Sequence, residues 1–187
     1  KTWEMLNIGF DRFIRTTDAD HAKVVQRFTK KIKDDIYRGA YKGHYCVGCE
    51  VFLSDDDIVE GKCKIHQKPV ELIEEETYFF KMSKYAAPLL EFYKKNPDFV
   101  KPAGRLEEVR NRILTEGLKD LSITRTKFKW GIPFSLDKKH IAYVWFDALL
   151  NYLTGIGWPK KKFNKWWPCD THHLGKDNLW FHAVIWP

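Results

Sequence analysis

The chain has 187 residues, of which 44% are hydrophobic and 16% aromatic, and a formal net charge of +7. That length suits one ordinary domain, or one domain carrying a small module, and the composition excludes a disordered chain. No apolar run reaches the roughly 18 residues a membrane span needs, so no membrane partner is expected. The basic balance permits phosphate or nucleic-acid contacts without requiring them, since a solvated lysine-rich surface gives the same sum.

In chain order, the opening "KTWEMLNIGFDRF" carries neither an initiator Met nor a signal or transit pattern, and the closing "WFHAVIWP" stops in mid-pattern. The expectation is a segment of a longer protein. "TTDADHAKVVQRFTKKIKDDI" predicts an amphipathic helix capped by Asp18 or Asp20, with Val24, Val25, Phe28, Ile32 and Ile36 on one face. "YRGAYKGHYC" alternates aromatic and polar residues around two glycines, which predicts short strands and a turn. "PVELIEEETYFFK" predicts a strand, an acidic turn and a second strand. Ser83 then caps a helix from Lys84 to Lys95, stopped by Pro97. "RLEEVRNRILTEG" predicts a helix burying Leu106, Val109 and Ile113 and ending at Gly117. "LSITR" reads as a strand and "WGIPF" as a turn. "HIAYVWFDALLNYL" reads as a strand turning helical near Ala148, and "KKKFNKWWP" as a basic, aromatic loop. "THHLGKDNLWFHAVIWP" reads as strand, glycine turn and helix. The alternation argues for an α/β fold, with its clearest crossover in the last 50 residues.

Four cysteines, at 46, 49, 63 and 169, do not make a secreted disulfide framework. Cys46-x-x-Cys49 is followed, after thirteen intervening residues, by Cys63-x-x-His66. Two paired-ligand turns are what a tetrahedral zinc ion needs. Three thiolates and an imidazole close the site to substrate, so one structural Zn²⁺ is expected. His44 is the weaker ligand because it lacks the paired spacing. Between the pairs, Ser54 and Asp57 suggest a capped helical turn.

A second constellation is split between "YVWFDALLNY" and "HLGKDNLWFH". The Gly175-Lys176-Asp177 turn could bring backbone N–H groups to phosphate or ribose oxygens, although such turns are common without that role. Trp145, Ala148 and Tyr152 share a helical face, and His182 lies four residues past Asn178. A stripe of this kind, and a lone His on an apolar face, more often belong to a core.

The blocks "FIRTTDADH", "GAYKGHYCVGCE", "CKIHQKPV", "YFFKMSKY", "GLKDLSITR", "WGIP", "YVWFDALLNY" and "GKDNLWFHAVIWP", in that order, resemble the methionyl-tRNA synthetases, a class I aminoacyl-tRNA synthetase family, over almost the whole chain. The resemblance implies part of a Rossmann-type nucleotide-binding fold. The end of its first half falls at residues 1–40 and a zinc-knuckle connective peptide at 41–82. A helical segment leading into the second half falls at 83–187. It implies ATP-dependent activation of methionine and transfer to tRNA(Met), with Mg²⁺ assisting the complete enzyme. A methionine pocket of Trp145, Ala148, Leu149, Tyr152, Asn178 and His182 is implied, with Gly175, Lys176 and Asp177 beside the adenylate. Lys176 and Arg125 are the implied catalytic residues, and Cys46, Cys49, Cys63 and His66 the implied zinc ligands. A cytoplasmic location follows the family, with an organelle left open.

There are departures. Leu149 and Asn178 stand where some members have Pro and Ile. "HIAYV" at His140 does not replace the HIGH-type motif, and the KMSK at 81–84 runs into Tyr-Ala-Ala-Pro, so it reads as a helix start and not as the ATP loop. Both ATP signatures, and the anticodon-binding helices, are expected outside these residues, and the segment alone is expected to be inactive. The rival reading is a non-catalytic zinc module that binds RNA through patches such as "KKKFNKWW". It leaves the "VWFDALLNY" and "GKDN" blocks unexplained. A leucyl or valyl enzyme would need an editing insertion for which the spacing leaves no room.

Overall fold

The computed structural model describes residues 2–48, 51–53, 57–127 and 129–187. After a short helix α1 (Thr2–Met5), helix α2 (Ala19–Lys31) lays Val24 and Val25 into the core as its periodicity predicts. Asp18 occupies the capping position, yet its carboxylate accepts the Arg15 N–H (3.1 Å) and makes no bond to the helix.

Strand β1 (Ile36–Cys46) is one continuous strand where two short ones and a turn were expected. The glycines serve a different purpose. A Cβ on Gly39 would stand 3.1 Å from the Phe79 ring, so its absence seats that ring between Tyr37 and Tyr41, which stack on it at 5.4 and 6.3 Å. Strands β2 (Val51–Leu53), β3 (Ile58–Val59) and β4 (Lys62–Cys63) come next. Glu60 (φ 49°) and Gly61 (φ 73°) form the two-residue loop between β3 and β4, a geometry that needs positive φ at both positions.

Strand β5 (Glu71–Phe80) runs unbroken through Glu74-Glu75-Glu76, where an acidic turn was expected. Alternation explains it. Glu75 faces inward and is buried, and one of its oxygens accepts the Thr126 N–H (2.6 Å), the Thr126 hydroxyl (2.8 Å) and the Lys127 N–H (3.2 Å). Glu76 faces outward and pairs with Arg38.

The predicted Ser83 cap is also corrected. Met82–Tyr85 form a 3₁₀ turn, and helix α3 (Ala86–Lys95) begins only after it. The Ser83 N–H is taken by the Asp120 carboxylate at 3.0 Å, Lys84 pairs with Asp35, and the Lys81 N–H donates to the Asp35 carbonyl. The basic residues of KMSK are thus tied to a local network. Helix α4 (Ala103–Glu116) buries Leu106, Val109 and Ile113 and stops at Gly117, whose φ of 71° suits glycine.

Strands β6 (Leu121–Ser122), β7 (Thr124–Arg125) and β8 (Ile141–Ala142) are short. Helix α5 (Val144–Leu149) starts earlier than the sequence suggested and breaks into α6 (Asn151–Ile156). The basic, aromatic loop contains a short helix, α7 (Phe163–Trp166). The main sheet has the order β2-β1-β5-β6, with two small pairs, β3-β4 and β7-β8, and every ladder among the described residues is antiparallel. The strand expected before Gly175 has no ladder partner among them. Beyond Gly175, Lys176–Asn178 form a 3₁₀ turn and Phe181–Ile185 a π-helical turn, in place of an ordinary helix.

Two clusters make the core of this mixed α/β fold. One joins α2 to Ile123, Phe134, Phe146 and Leu150, the other joins α3 and α4 to Ala183 and Val184, and Phe80 and Leu121 touch both. No helix among the described residues is long and apolar enough to cross a membrane.

Candidate functional site

Three of the four predicted metal ligands meet at the end of β1. Cys46 and Cys63 are 2% and 1% exposed, and their sulfurs and a ring nitrogen of His66 all lie within 4.8 Å of one another, with Cys46 Sγ 3.8 Å from His66 Nδ1. Cys49 and Ser54 lie outside the described residues. The turn after Cys63 closes because Gln67 adopts φ 54° and its N–H donates to the Cys63 carbonyl at 2.8 Å. The His66 N–H, then that of Ile65, pulls the Cys63 thiol down to about 6 against the upward push of burial, so the thiolate that a metal needs is favoured. A Cβ on Gly48 would stand 2.8 Å from the His66 ring, so the first turn is shaped around that imidazole. The donor set and its cradle fit a metal ion. His44 takes no part in this cluster and pairs in the ladder with Leu53 and Leu72.

Of the predicted pocket residues, Tyr152, His182 and Asn178 are linked in a chain of contacts. The Tyr152 hydroxyl lies 2.6 Å from His182 Nε2, and His182 Nδ1 lies 2.9 Å from the Asn178 carbonyl. A carbonyl only accepts, so Nδ1 carries the proton, Nε2 accepts, and the Tyr152 O–H donates. Burial pushes the Tyr152 phenol up, which keeps that donor protonated. Trp145 stacks on Phe181 with ring centroids 3.8 Å apart, Leu149 is buried, and the Ala148 carbonyl accepts the Asn151 side chain.

Four residues of this cluster were not anticipated from the sequence. His172 packs 4.4 Å from the Tyr152 ring. Trp186 packs 5.4 Å from the same ring and donates its indole N–H to His172 Nε2 at 3.1 Å. Cys169 Sγ is also 3.1 Å from that nitrogen, and Phe181 covers Trp145. The signal available for Trp186 was its spacing of four from His182. Nothing in the spacing pointed to His172.

Gly175, Lys176 and Asp177 are exposed, and a Cβ on Gly175 would meet nothing within 4 Å, so its backbone faces open space. Gly175 has an ordinary φ of −70°, so strain does not require glycine there. Lys176 and Asp177 border a cleft of about 220 Å³ with Arg112 and Trp180. Arg125 sits elsewhere, in an open cleft of about 820 Å³ bordered by Thr16, Lys127, Trp130 and Asp147. It is 8% exposed, lies 4.1 Å over the Tyr143 ring, and donates to Ser122 Oγ (2.8 Å) and the Thr124 carbonyl (2.7 Å). Asp147 was not anticipated either. It is buried, its Oδ1 lacks a hydrogen-bond partner among the described residues, and burial pushes its carboxyl up to about 7. Helix α5 links the parts, sending Trp145 to the aromatic cluster and Val144 and Asp147 to the larger cleft.

The family described as tRNA synthetases class I (M) matches residues 1–68 and 55–187. A methionine–tRNA ligase of Clostridium acetobutylicum is 49% identical over 99% of this chain and 30% of its own length. That of Thermotoga maritima is 51% identical over 100% of this chain and 31% of its own. The chain thus spans about a third of the length of these curated relatives. The solved structure of Mycobacterium tuberculosis methionyl-tRNA synthetase in complex with methionyl-adenylate superposes with a TM-score of 0.89 at 45% identity, covering 99% of this chain and 38% of that one. By these matches the chain belongs to the methionyl class I tRNA synthetases.

Proposed function

We propose that this chain is the central catalytic-region segment of an ATP-dependent ligase that activates methionine and passes it to tRNA(Met). The observation that carries the reading is the directed Tyr152 O–H to His182 Nε2 bond beside the Trp145–Phe181 stack. A thioether is polarizable and packs well on aromatic faces, and on binding methionine the Tyr152 O–H would turn from His182 Nε2 to the weakly accepting sulfur that an isosteric hydrocarbon lacks. Trp145, Ala148, Leu149, Tyr152, Asn178 and His182 would line that pocket. Gly175, Lys176 and Asp177 would meet the adenylate through exposed backbone and charge, and Arg125 would act from the separate, larger cleft. Catalysis is then positioning of the methionine carboxylate and charge stabilisation at the α-phosphate, with Mg²⁺ bound by the complete enzyme. Cys46, Cys49, Cys63 and His66 would hold one structural Zn²⁺, which supplies folding energy and no chemistry. The connective-peptide boundaries of 41–82 and a cytoplasmic location belong to the same proposal.

The test is a chimera in which this chain replaces the matching segment of the Clostridium acetobutylicum ligase. Methionine-dependent ATP–pyrophosphate exchange is expected from the chimera and not from the 187 residues alone. A folded chimera without exchange refutes the assignment, and exchange by the isolated chain refutes the expectation that the ATP signatures lie elsewhere.

A further inference from the structure

Glu76, Asp137 and His140 come together from separate stretches, Glu76 on β5 and the other two in the turn entering β8. His140 is 0% exposed and its ring is held from two sides. Its Nδ1 is 3.0 Å from Thr124 Oγ1, itself fixed by accepting the Tyr78 N–H at 2.9 Å, and Tyr78 stands edge-on to the imidazole at 5.0 Å. The opposite nitrogen, Nε2, faces two carboxylates, with Glu76 Oε1 at 3.4 Å and Asp137 Oδ2 at 3.9 Å. One ligand atom from each of the three residues lies within 4.8 Å of the other two.

These separations are long for charge-assisted hydrogen bonds, which close to roughly 2.7–2.9 Å. One ring nitrogen also carries at most one proton for two carboxylates. Bonds of about 2.0–2.2 Å in tetrahedral geometry hold neighbouring donors roughly 3.3–3.6 Å apart, a range that the 3.4 Å separation meets and that the 3.9 Å one would reach by closing a few tenths of an ångström around an ion. The outer contacts suit ligation too. Thr124 holds the remote ring nitrogen, Arg38 pairs with the other oxygen of Glu76, and the Lys139 N–H donates to Asp137 Oδ1 at 2.9 Å. Glu76 Oε1 and His140 Nε2 thereby keep their inward faces, while Asp137 Oδ2 also accepts the Tyr78 hydroxyl at 3.4 Å and has lone pairs left for an ion. Glu76 and Asp137 side chains are 44% and 22% exposed, which gives an ion a route from solvent.

We propose that Glu76, Asp137 and His140 form a second metal site, distinct from the cysteine knuckle, for one divalent first-row ion that accepts nitrogen and oxygen ligands, as Zn²⁺ does. The ion would tie β5 to the turn that launches β8 and α5. The test is equilibrium dialysis of the 187-residue chain against Zn²⁺, with bound zinc counted by elemental analysis in the wild type, in the Glu76→Gln/Asp137→Asn double variant and in Cys63→Ser. The double variant is expected to bind one ion fewer than the wild type, and its loss to add to that of Cys63→Ser. Equal zinc in the wild type and a folded double variant overturns the proposal. A second measurement does not depend on the variants. Mn²⁺ added to wild type holding a single equivalent of Zn²⁺, which the thiolate knuckle takes first, should broaden the nuclear magnetic resonances of the His140 ring and the Glu76 and Asp137 side chains first, saturating near one equivalent. Broadening with no preference for these three overturns it as well.

Discussion

Replacing Gly48 with alanine tests the knuckle directly, because the perturbation is a single methyl group whose surroundings are defined. The added Cβ would lie 2.8 Å from Cγ and Cδ2 of His66 and 3.0 Å from its Nδ1. Carbon atoms rest at about 3.5–4.0 Å, so the ring must retreat by roughly 0.7 Å or more. Metal ligation tolerates displacements of only about 0.2 Å. His66 is exposed, so without metal the ring swings aside at little cost, and the metal-free Gly48→Ala protein is expected to keep its stability within about 0.5 kcal/mol. With metal the ring cannot do both. The displacement resembles loss of a ligand-orienting contact, which typically costs 10- to 100-fold in affinity, or about 1.4–2.7 kcal/mol. Competition for Zn²⁺ against a chelator of known affinity, paired with thermal unfolding in the presence and absence of metal, reads both quantities. Wild-type zinc affinity in Gly48→Ala would refute the reasoning, as it would mean that His66 is not held against this turn by a metal.

Three further outcomes are expected. Asp147 has a folded-state pKa of about 7, above the roughly 3.9 of an unfolded chain. The native state therefore holds the extra proton between these values, and stability falls as pH rises from about 4 to about 7, by at most on the order of 4 kcal/mol. Asp147→Asn should remove that decline in urea melts at pH 5 and pH 8, and an unchanged pH dependence counts against it. Tyr93 is 1% exposed and its hydroxyl donates to the Ala183 carbonyl, so Tyr93→Phe should lower unfolding free energy by about 1–2 kcal/mol, measured by denaturant titration; a neutral result would mean the bond contributes nothing net. In the chimeric ligase, Tyr152→Phe should raise the KM for methionine about tenfold with a smaller change in kcat. An unchanged KM would show that the hydroxyl does not sense the substrate.

Much of the site is legible locally. The spacing of Cys46, Cys63 and His66 predicts donors that do meet, because tight turns with paired ligands depend on few residues. The periodicity of α2 and α4 names their buried faces correctly for the same reason. The Tyr152–His182 meeting rests on resemblance, since helical spacing places each on a face but does not say that the two faces touch.

The sequence by itself determined which faces are apolar, where the knuckle lies and which family the ordered blocks resemble, since these follow from residue type and short-range spacing. Tertiary structure decided the rest. Gly39 has the local signature of a turn, and only the Phe79 ring it seats explains its place inside a strand. Glu75 has the local signature of an acidic turn, and the N–H groups of Thr126 and Lys127, about 50 residues further along the chain, supply the partners that bury it in a strand. Local sequence states a preference for strand, turn or helix worth a fraction of a kcal/mol per residue. A buried carboxylate with three donors, or an aromatic ring with a seat, outweighs that preference, and both depend on groups that only the folded chain brings near.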